Sequence, residues 1–416
     1  MKIVITGVTG FRNRGVEALV RPAIEELLKI FPSANITVST GSPEYDARRL
    51  VNDKVKFVLD YQEGYWKIKK GYSLSYLQNI LKRVLKKFKI NVFEAPLERV
   101  MPFDKCNLLI VSGGDVLSSD YGTNWLAHYL DPVFWAIDQE IPCFILGHSI
   151  GPFKTLAEEN LWRRVHEKVT FITTREEISK EYLTKKLGCC ENKVLTTADV
   201  AFLLDPSLNI AEKIFPVSNT PTIALSVSEG ICAWTGKSYD LHLEKWVILS
   251  KLIIEKWNAN IVFIPHVQEQ WGDDRRVLNL ILRKLDFDSR IRLFGEDLSA
   301  AEYKGIISKC EMVIAERMHA CIAGLSTEVC TVAVGYSVKA EGIMKQVYMG
   351  SGVDYKNNLV SVDDFITDDG VFDRIALAWE KRALHKKILA NAHERLSELA
   401  KRNFESIRHV MCDLNL

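Results

Sequence analysis

The sequence predicts an α/β chain of two Rossmann-like domains facing across a cleft, and three observations carry that expectation. Short β-branched runs alternate with helical patterns from end to end, as in parallel sheets covered by helices. The stronger runs end in glycine, serine, threonine or another polar residue, where open α/β sheets hold their ligands. The pattern then breaks at a proline-rich stretch and starts again.

In chain order, the first half offers "KIVIT", "NITVST", "VKFVL", "NLLIVSGG", "CFILGHS", "TFITTR" and "KVLTT" as strands. The stretch "DPSLNIAEKIFPVSNTPT" brings three prolines and little periodicity, which puts a domain boundary near residues 207 to 221. The second half resumes with "TIALSVS", "ANIVFIPH", "RIRLFG", "CEMVIAER" and "CTVAVGY". The tail "DRIALAWEKRALHKKILANAHERLSELAKRNFESI" has helical spacing without strands. The expected domains are residues 1–210 and 220–370, with helices over 371–416 folding back across both. At 416 residues the chain has room for two cores of roughly 200 residues each.

Residues 62 to 103 interrupt the first unit. There Ile80, Leu81, Val84, Leu85 and Phe88 recur at helical spacing, while Lys82, Arg83, Lys86, Lys87 and Lys89 take other faces. A solvated helix lying on the sheet accounts for this pattern. Peripheral contact of residues 74–90 with an anionic membrane surface is the sharper alternative.

Formal net charge is +1, with 54 basic residues against 53 acidic ones, so no global field advertises nucleic acid as a partner. Any anion site must be local. The nine cysteines contain no CxxC, and most lie inside apolar runs, which opposes a disulfide or zinc framework and suits a reducing cytoplasm. The start reaches glycines before any cleavage region, and no run approaches about 18 apolar residues. A cytoplasmic protein is therefore expected, at the inner face of the membrane if residues 74–90 attach there.

Two familiar motifs fail on inspection. "MKIVITGVTGFRNRG" opens like a dinucleotide site, but Asn13 stands where a third glycine is wanted, and the second strand ends in Thr40 and Gly41 without a carboxylate for a ribose. The YxxxK pairs Tyr65 with Lys69 and Tyr182 with Lys186 arise readily by chance. "GHSIG" at 147–151 satisfies GxSxG, with Asp199 and His266 following in hydrolase order. A nucleophile elbow must turn from serine directly into a helix, and Ile150, Gly151 and Pro152 oppose that. Ser149 reads better as a ligand or turn residue.

What survives is a set of anion-binding features at strand ends. Arg12, Asn13, Arg14 and Gly15 stand at a helix entrance, where backbone N–H groups favour phosphate or carboxylate; Asn13 serves equally well as a plain N-cap. Gly113 and Gly114 follow one strand, His148 and Ser149 another, then Arg175, then Asp199. In the second half, Glu316, Arg317 and His319 sit where a strand passes into a helix, and Lys339 follows the next strand. Arg317 and His319 can present guanidinium and imidazole together. His266 precedes Asp273 and Asp274, which fit either a helix cap near Arg275 or contact with ligand; a divalent ion on this trio is only weakly supported by spacing.

Taken in order, "GFRNRGVEAL", "VSGGDVL", "GHSIGPF", "TTREEIS", "ADVAFLLDP", "IPH", "DD", "ERMHACIAG" and "VAVGYSVKAEGI" resemble the polysaccharide pyruvyl transferase family across nearly the whole chain. Val16 departs from the acidic or small residue usual after the first motif's glycine. The resemblance implies a fold like the two-domain glycosyltransferase B type. It implies transfer of a pyruvyl group from phosphoenolpyruvate to a sugar of a cell-surface polysaccharide or its lipid-linked precursor, forming a ketal, with no metal or organic cofactor. It makes His319 the acid or base beside Arg317 as catalytic residues. Arg175 becomes a carboxylate or phosphate ligand, and Arg12, Asn13, Gly15, Gly113, Gly114, His148, Ser149, Asp199, His266 and Lys339 are the further substrate contacts. A nucleotide-sugar-dependent glycosyltransferase, or a non-catalytic glycan- or anion-binding scaffold, would use the same cleft.

Overall fold

The computed structural model describes residues 1–60, 101, 103, 105–121, 123–210, 220–270, 272–335 and 338–414. The stretch 74–90, raised above as a membrane contact, lies outside them. Among the described residues no helix is long and apolar enough to cross a membrane.

Seven parallel strands form the first sheet: β1 (Lys2–Val8), β2 (Asn35–Thr40), β3 (Val55–Leu59), β4 (Leu108–Val111), β5 (Cys143–His148), β6 (Phe171–Thr174) and β7 (Val194–Thr196), in the order β3-β2-β1-β4-β5-β6-β7. The second sheet uses β8 (Thr222–Ser226), β9 (Asn260–Phe263), β12 (Ile291–Leu293), β13 (Met312–Ala315), β14 (Cys330–Gly335) and β15 (Leu359–Ser361), in the order β12-β9-β8-β13-β14-β15. Between β9 and β12 in sequence, β10 (Gln268–Glu269) and β11 (Gly272–Asp273) make a two-stranded antiparallel hairpin. Residues of β4, β5 and β13 are buried throughout, because helices cover both faces and leave no polar side to alternate with.

Both large sheets reverse direction of growth once, between β1 and β4 and between β8 and β13. Such switch points open a crevice at the carboxyl ends of the strands. Here the two ends meet. The turn after β1 pairs with the segment after β9: Asn13 forms a bridge with Val267, Arg14 N–H donates to the His266 carbonyl, and Gln268 N–H donates to the Arg12 carbonyl.

Buried Arg14 fastens this junction. It donates to the Phe11 carbonyl and Tyr45 hydroxyl in its own half, and to Gln268 and Asp297 in the other. Glu17 accepts from the Ala300 N–H at the start of the Ala300–Ile307 helix, 3.0 Å away. Arg14 was grouped by sequence with the anion-binding turn. Its Nη1 and Nη2 groups donate to protein instead.

The Arg382–Asp413 helix spans both halves. Asn403 accepts from Thr173 and Thr197 beneath the first sheet, while Arg395 donates to the carbonyls of Gln346 and Val347. One buried apolar cluster correspondingly runs from Ile5 and Ile110 through Leu396 and Phe404 to Val313 and Ala333.

Candidate active site between the sheets

Successive strand ends of the first sheet place their polar side chains side by side. Ser149 N–H donates to the Gly114 carbonyl, Arg175 N–H to that of His148, and Thr197 N–H to that of Thr174. This stagger lines up Ser149, Arg175 and Asp199. Arg175 donates from Nε to Ser149 Oγ and from Nη1 to Asp199 Oδ2, each at 2.7 Å, and all three residues are buried. Burial opposes the Arg175 charge, but Asp199 and Asp115 outweigh it and raise its pKa. Asp199 Oδ1 accepts from Ala201 N–H, so both carboxylate oxygens are held. After Ser149 the chain enters no helix until Leu156, which leaves no elbow for a nucleophile.

The second sheet contributes the other wall. Arg317, at the N-cap of the Met318–Leu325 helix, makes a bidentate pair with Asp274, at 3.0 Å from Nε and 2.6 Å from Nη2. Asp274 also accepts from the N–H groups of Val267 and Glu229, so it orients Arg317 while closing the loop after β9. The two adjacent aspartates therefore divide: Asp273 caps the Asp274–Lys284 helix through Arg275 N–H, and Asp274 holds Arg317. Glu316 is turned inward to Ser228 N–H, His242 and Trp246, a structural knot behind the site.

His319 brings the two walls together. Its Nε2 lies 3.8 Å from Asp199 Oδ2 and has no hydrogen-bond partner among the described residues. Burial lowers its pKa, Asp199 pulls the other way, and Arg175 adds to the lowering, so the ring is neutral near pH 7. Its other side rests on Gly15, where a Cβ would stand only 2.4 Å from His319 Nδ1. Buried His266 is lowered further still, by burial and then by His319 and Arg317.

Several expected ligand contacts are engaged by protein. The Arg14–Ile30 helix entrance, expected to receive an anion, is closed: Arg14 N–H is bonded to the His266 carbonyl and Gly15 N–H to Asn13 Oδ1. Asn13 is thus the N-cap, and Gly15 makes room for an imidazole. Arg12 is exposed and stacks 4.2 Å over the Tyr45 ring. A Cβ on Gly113 would lie 3.1 Å from the carbonyl oxygens of Leu146 and Gly147, so strand packing demands that glycine. Gly114, at φ +127°, bridges to His148. Lys339 is buried and crosses the cleft to Asp120 and Ser118 at 2.7 and 2.9 Å, clasping the loop after β4. His148 stays in the site as a buried neutral ring, its pKa lowered to about 3 by burial and Arg175.

Two acids went unread in the sequence. Asp115 follows the glycines after β4, approaches Lys339 at 3.6 Å, and exerts its charge on His148, Arg175 and His319. Glu269, on β10, is half-buried, and burial pushes its pKa up to about 7 against the pull of Arg317 and Arg12. "VQEQ" reads like any polar turn; what matters is the hairpin that holds it beside Arg317. The unfolded chain releases this proton near 4.5, while the folded chain keeps it to about 7. Between those values the folded state binds more protons, so stability falls as pH rises. Glu269→Gln is expected to flatten that slope in denaturant midpoints taken from about pH 5 to about pH 7; a slope equal to wild type would refute the assignment.

With this geometry in hand, comparison with known proteins is direct. The family model for polysaccharide pyruvyl transferase matches residues 13–338, from the Asn13 cap to the residue before Lys339. The amylovoran biosynthesis protein AmsJ of Erwinia amylovora is 25% identical over 307 residues, covering 68% of this chain and 71% of its own. Among solved structures, the Neisseria meningitidis UDP-GlcNAc 2-epimerase bound to UDP-GlcNAc aligns with a TM-score of 0.60 at 15% identity, over 98% of this chain and 99% of that one. A glycosyltransferase from Rickettsia africae aligns at 0.55 and 11%, over 99% and 98%. At these identities the two solved structures speak to fold alone: two facing α/β units of the glycosyltransferase B type.

Proposed function

Since this chain belongs to the polysaccharide pyruvyl transferase family, we propose that it moves a pyruvyl group from phosphoenolpyruvate onto two hydroxyls of one sugar in a cell-surface polysaccharide or its precursor. The product is a ketal, and phosphate leaves. Two hydroxyl protons must go: one to the donor's methylene carbon, which becomes a methyl group, and one to the departing phosphate.

The observation that carries this reading is the neutral His319 ring, whose Nε2 lies beside Asp199 with no hydrogen-bond partner among the described residues. A neutral imidazole accepts the first hydroxyl proton; the imidazolium so formed is stabilised by Asp199 and can return the proton to the methylene carbon. Arg175 holds Asp199 in place. Arg317 and the first turn of the Met318–Leu325 helix, which the Arg317 side chain does not cap, favour the donor's phosphate or carboxylate.

The test is release of inorganic phosphate from phosphoenolpyruvate, screened against lipid-linked and oligosaccharide acceptors, with the acceptor's mass increase as the second readout. Phosphate release that requires acceptor supports the reading. Thermal protection by a nucleotide sugar, with no phosphate release under any acceptor, would replace it with the glycosyltransferase alternative.

A further inference from the structure

A cavity of about 710 Å³ opens beside this centre, walled by the short helix that carries Trp234, by β15 and the Val362–Thr367 helix that follows it, with Asp120 and Lys154 entering from the first sheet. Its volume is in the range of small-molecule sites. Trp234 lines it with 46% of its surface exposed, unusual for so large an apolar side chain. The indole is held in place: a Cβ on Gly230 would lie 2.8 Å from the ring, and the Arg317 guanidinium sits 5.6 Å from its centroid. Arg317 thus joins this platform to His319, two residues further on.

The charges on the wall balance, with Lys154, Lys237, Lys356 and Arg374 against Asp120, Glu341, Asp363 and Asp364, and several of them pair. Lys237 pairs with Asp363, Arg374 with Asp364 at 3.4 Å, and Asp120 with Lys339. The entrance of the Val362–Thr367 helix, where a phosphate could otherwise settle, is capped by Ser361 and carries Asp363 and Asp364 in its first turn. A diphosphate would meet carboxylates there. A fixed, half-exposed indole ringed by carboxylates and ammonium groups suits a different ligand: the C–H face of a sugar ring on the indole, with its hydroxyls donating to and accepting from the rim.

We propose that this cavity is the acceptor subsite and takes an uncharged glycosyl ring stacked on Trp234. Naming the occupant as acceptor rests on the transferase reading above; the binding itself does not. The experiment is saturation-transfer NMR on the full chain with the methyl glycosides of glucose, galactose and mannose, without phosphoenolpyruvate. Saturation is expected on at least one glycoside, about tenfold weaker in Trp234→Ala and largely kept in Trp234→Phe. Gly230→Ala, which tilts the ring without removing it, should weaken binding in the same direction. UDP should not displace the glycoside.

Absence of saturation in the wild type, equal saturation in Trp234→Ala, or displacement by UDP would each overturn the proposal. The two readings fail separately. Glycoside binding through Trp234 without phosphate release from phosphoenolpyruvate sinks the reaction and leaves the site standing. Turnover whose acceptor KM is unmoved in Trp234→Ala does the reverse.

Discussion

His319→Ala is expected to lower turnover by roughly a hundredfold or more, the usual loss when a general acid or base is removed, while the protein stays folded. The fold should tolerate it because His319 Nε2 has no hydrogen bond to lose among the described residues, and Asp199 keeps its stronger partner, Arg175 at 2.7 Å. The ring acts first as a base, so activity should decline as pH falls through a value below the ordinary 6.5, the direction in which burial moves it. Phosphate release from phosphoenolpyruvate with acceptor present reads the first effect and its pH profile the second. Added imidazole should restore part of the lost rate, which a merely positional role would not allow. Near-normal turnover in the variant, or an acid limb above 6.5, would remove His319 from the mechanism.

Much of the fold is legible before any coordinate is seen. Strands such as Leu108–Val111 and Met312–Ala315 are buried on both faces, so they stand out as short apolar runs ending in small or polar residues. The strands that escape notice are Leu359–Ser361 and the hairpin Gln268–Glu269 with Gly272–Asp273, which lie in polar surroundings with no apolar run to mark them. The site is only half legible, for a related reason. Arg175, Asp199, Arg317 and His319 can each be picked out at a strand end. Which of them touch depends on how two sheets meet, and no local pattern encodes that.

Residues that serve the junction are therefore misread as serving a ligand. Arg14 and Lys339 look like anion-binding cations, yet each spends its charge across the cleft, on Asp297 and Asp120 respectively. Asn13 offers two equal readings in sequence, and the 3.0 Å bond from Gly15 N–H selects the cap. Glu269 is the opposite case. Nothing around it in sequence marks it, and its raised pKa comes from burial, with Asp46 of the other half and Asp274 adding to the rise against the pull of Arg317 and Arg12.

Gly15→Ala is expected to separate stability from activity. Glycine in a helix is disfavoured relative to alanine by about 0.5 to 1 kcal/mol, and Gly15 lies in the first turn of the 17-residue Arg14–Ile30 helix. On helix propensity alone the variant should melt no lower than wild type. The new Cβ, however, would stand 2.4 Å from Nδ1 and 2.8 Å from Cγ of His319, far inside contact distance. One side must move. The helix is fixed by Arg14 to Gln268 and Asp297 and by Glu17 to the Ala300 N–H, whereas among the described residues no hydrogen bond ties the imidazole Nε2.

The ring should shift by about 1 Å, and a displacement of that size costs on the order of a hundredfold in rate. We therefore expect Gly15→Ala to approach the loss of His319→Ala with an unchanged or raised melting temperature. The two substitutions act on one group, so the double variant should be no slower than His319→Ala alone, which also removes the clash. Melting curves and phosphate-release rates on the same three preparations decide it. Wild-type turnover in Gly15→Ala, or losses that multiply in the double variant, would mean that the contact between Gly15 and His319 does not position the reacting imidazole.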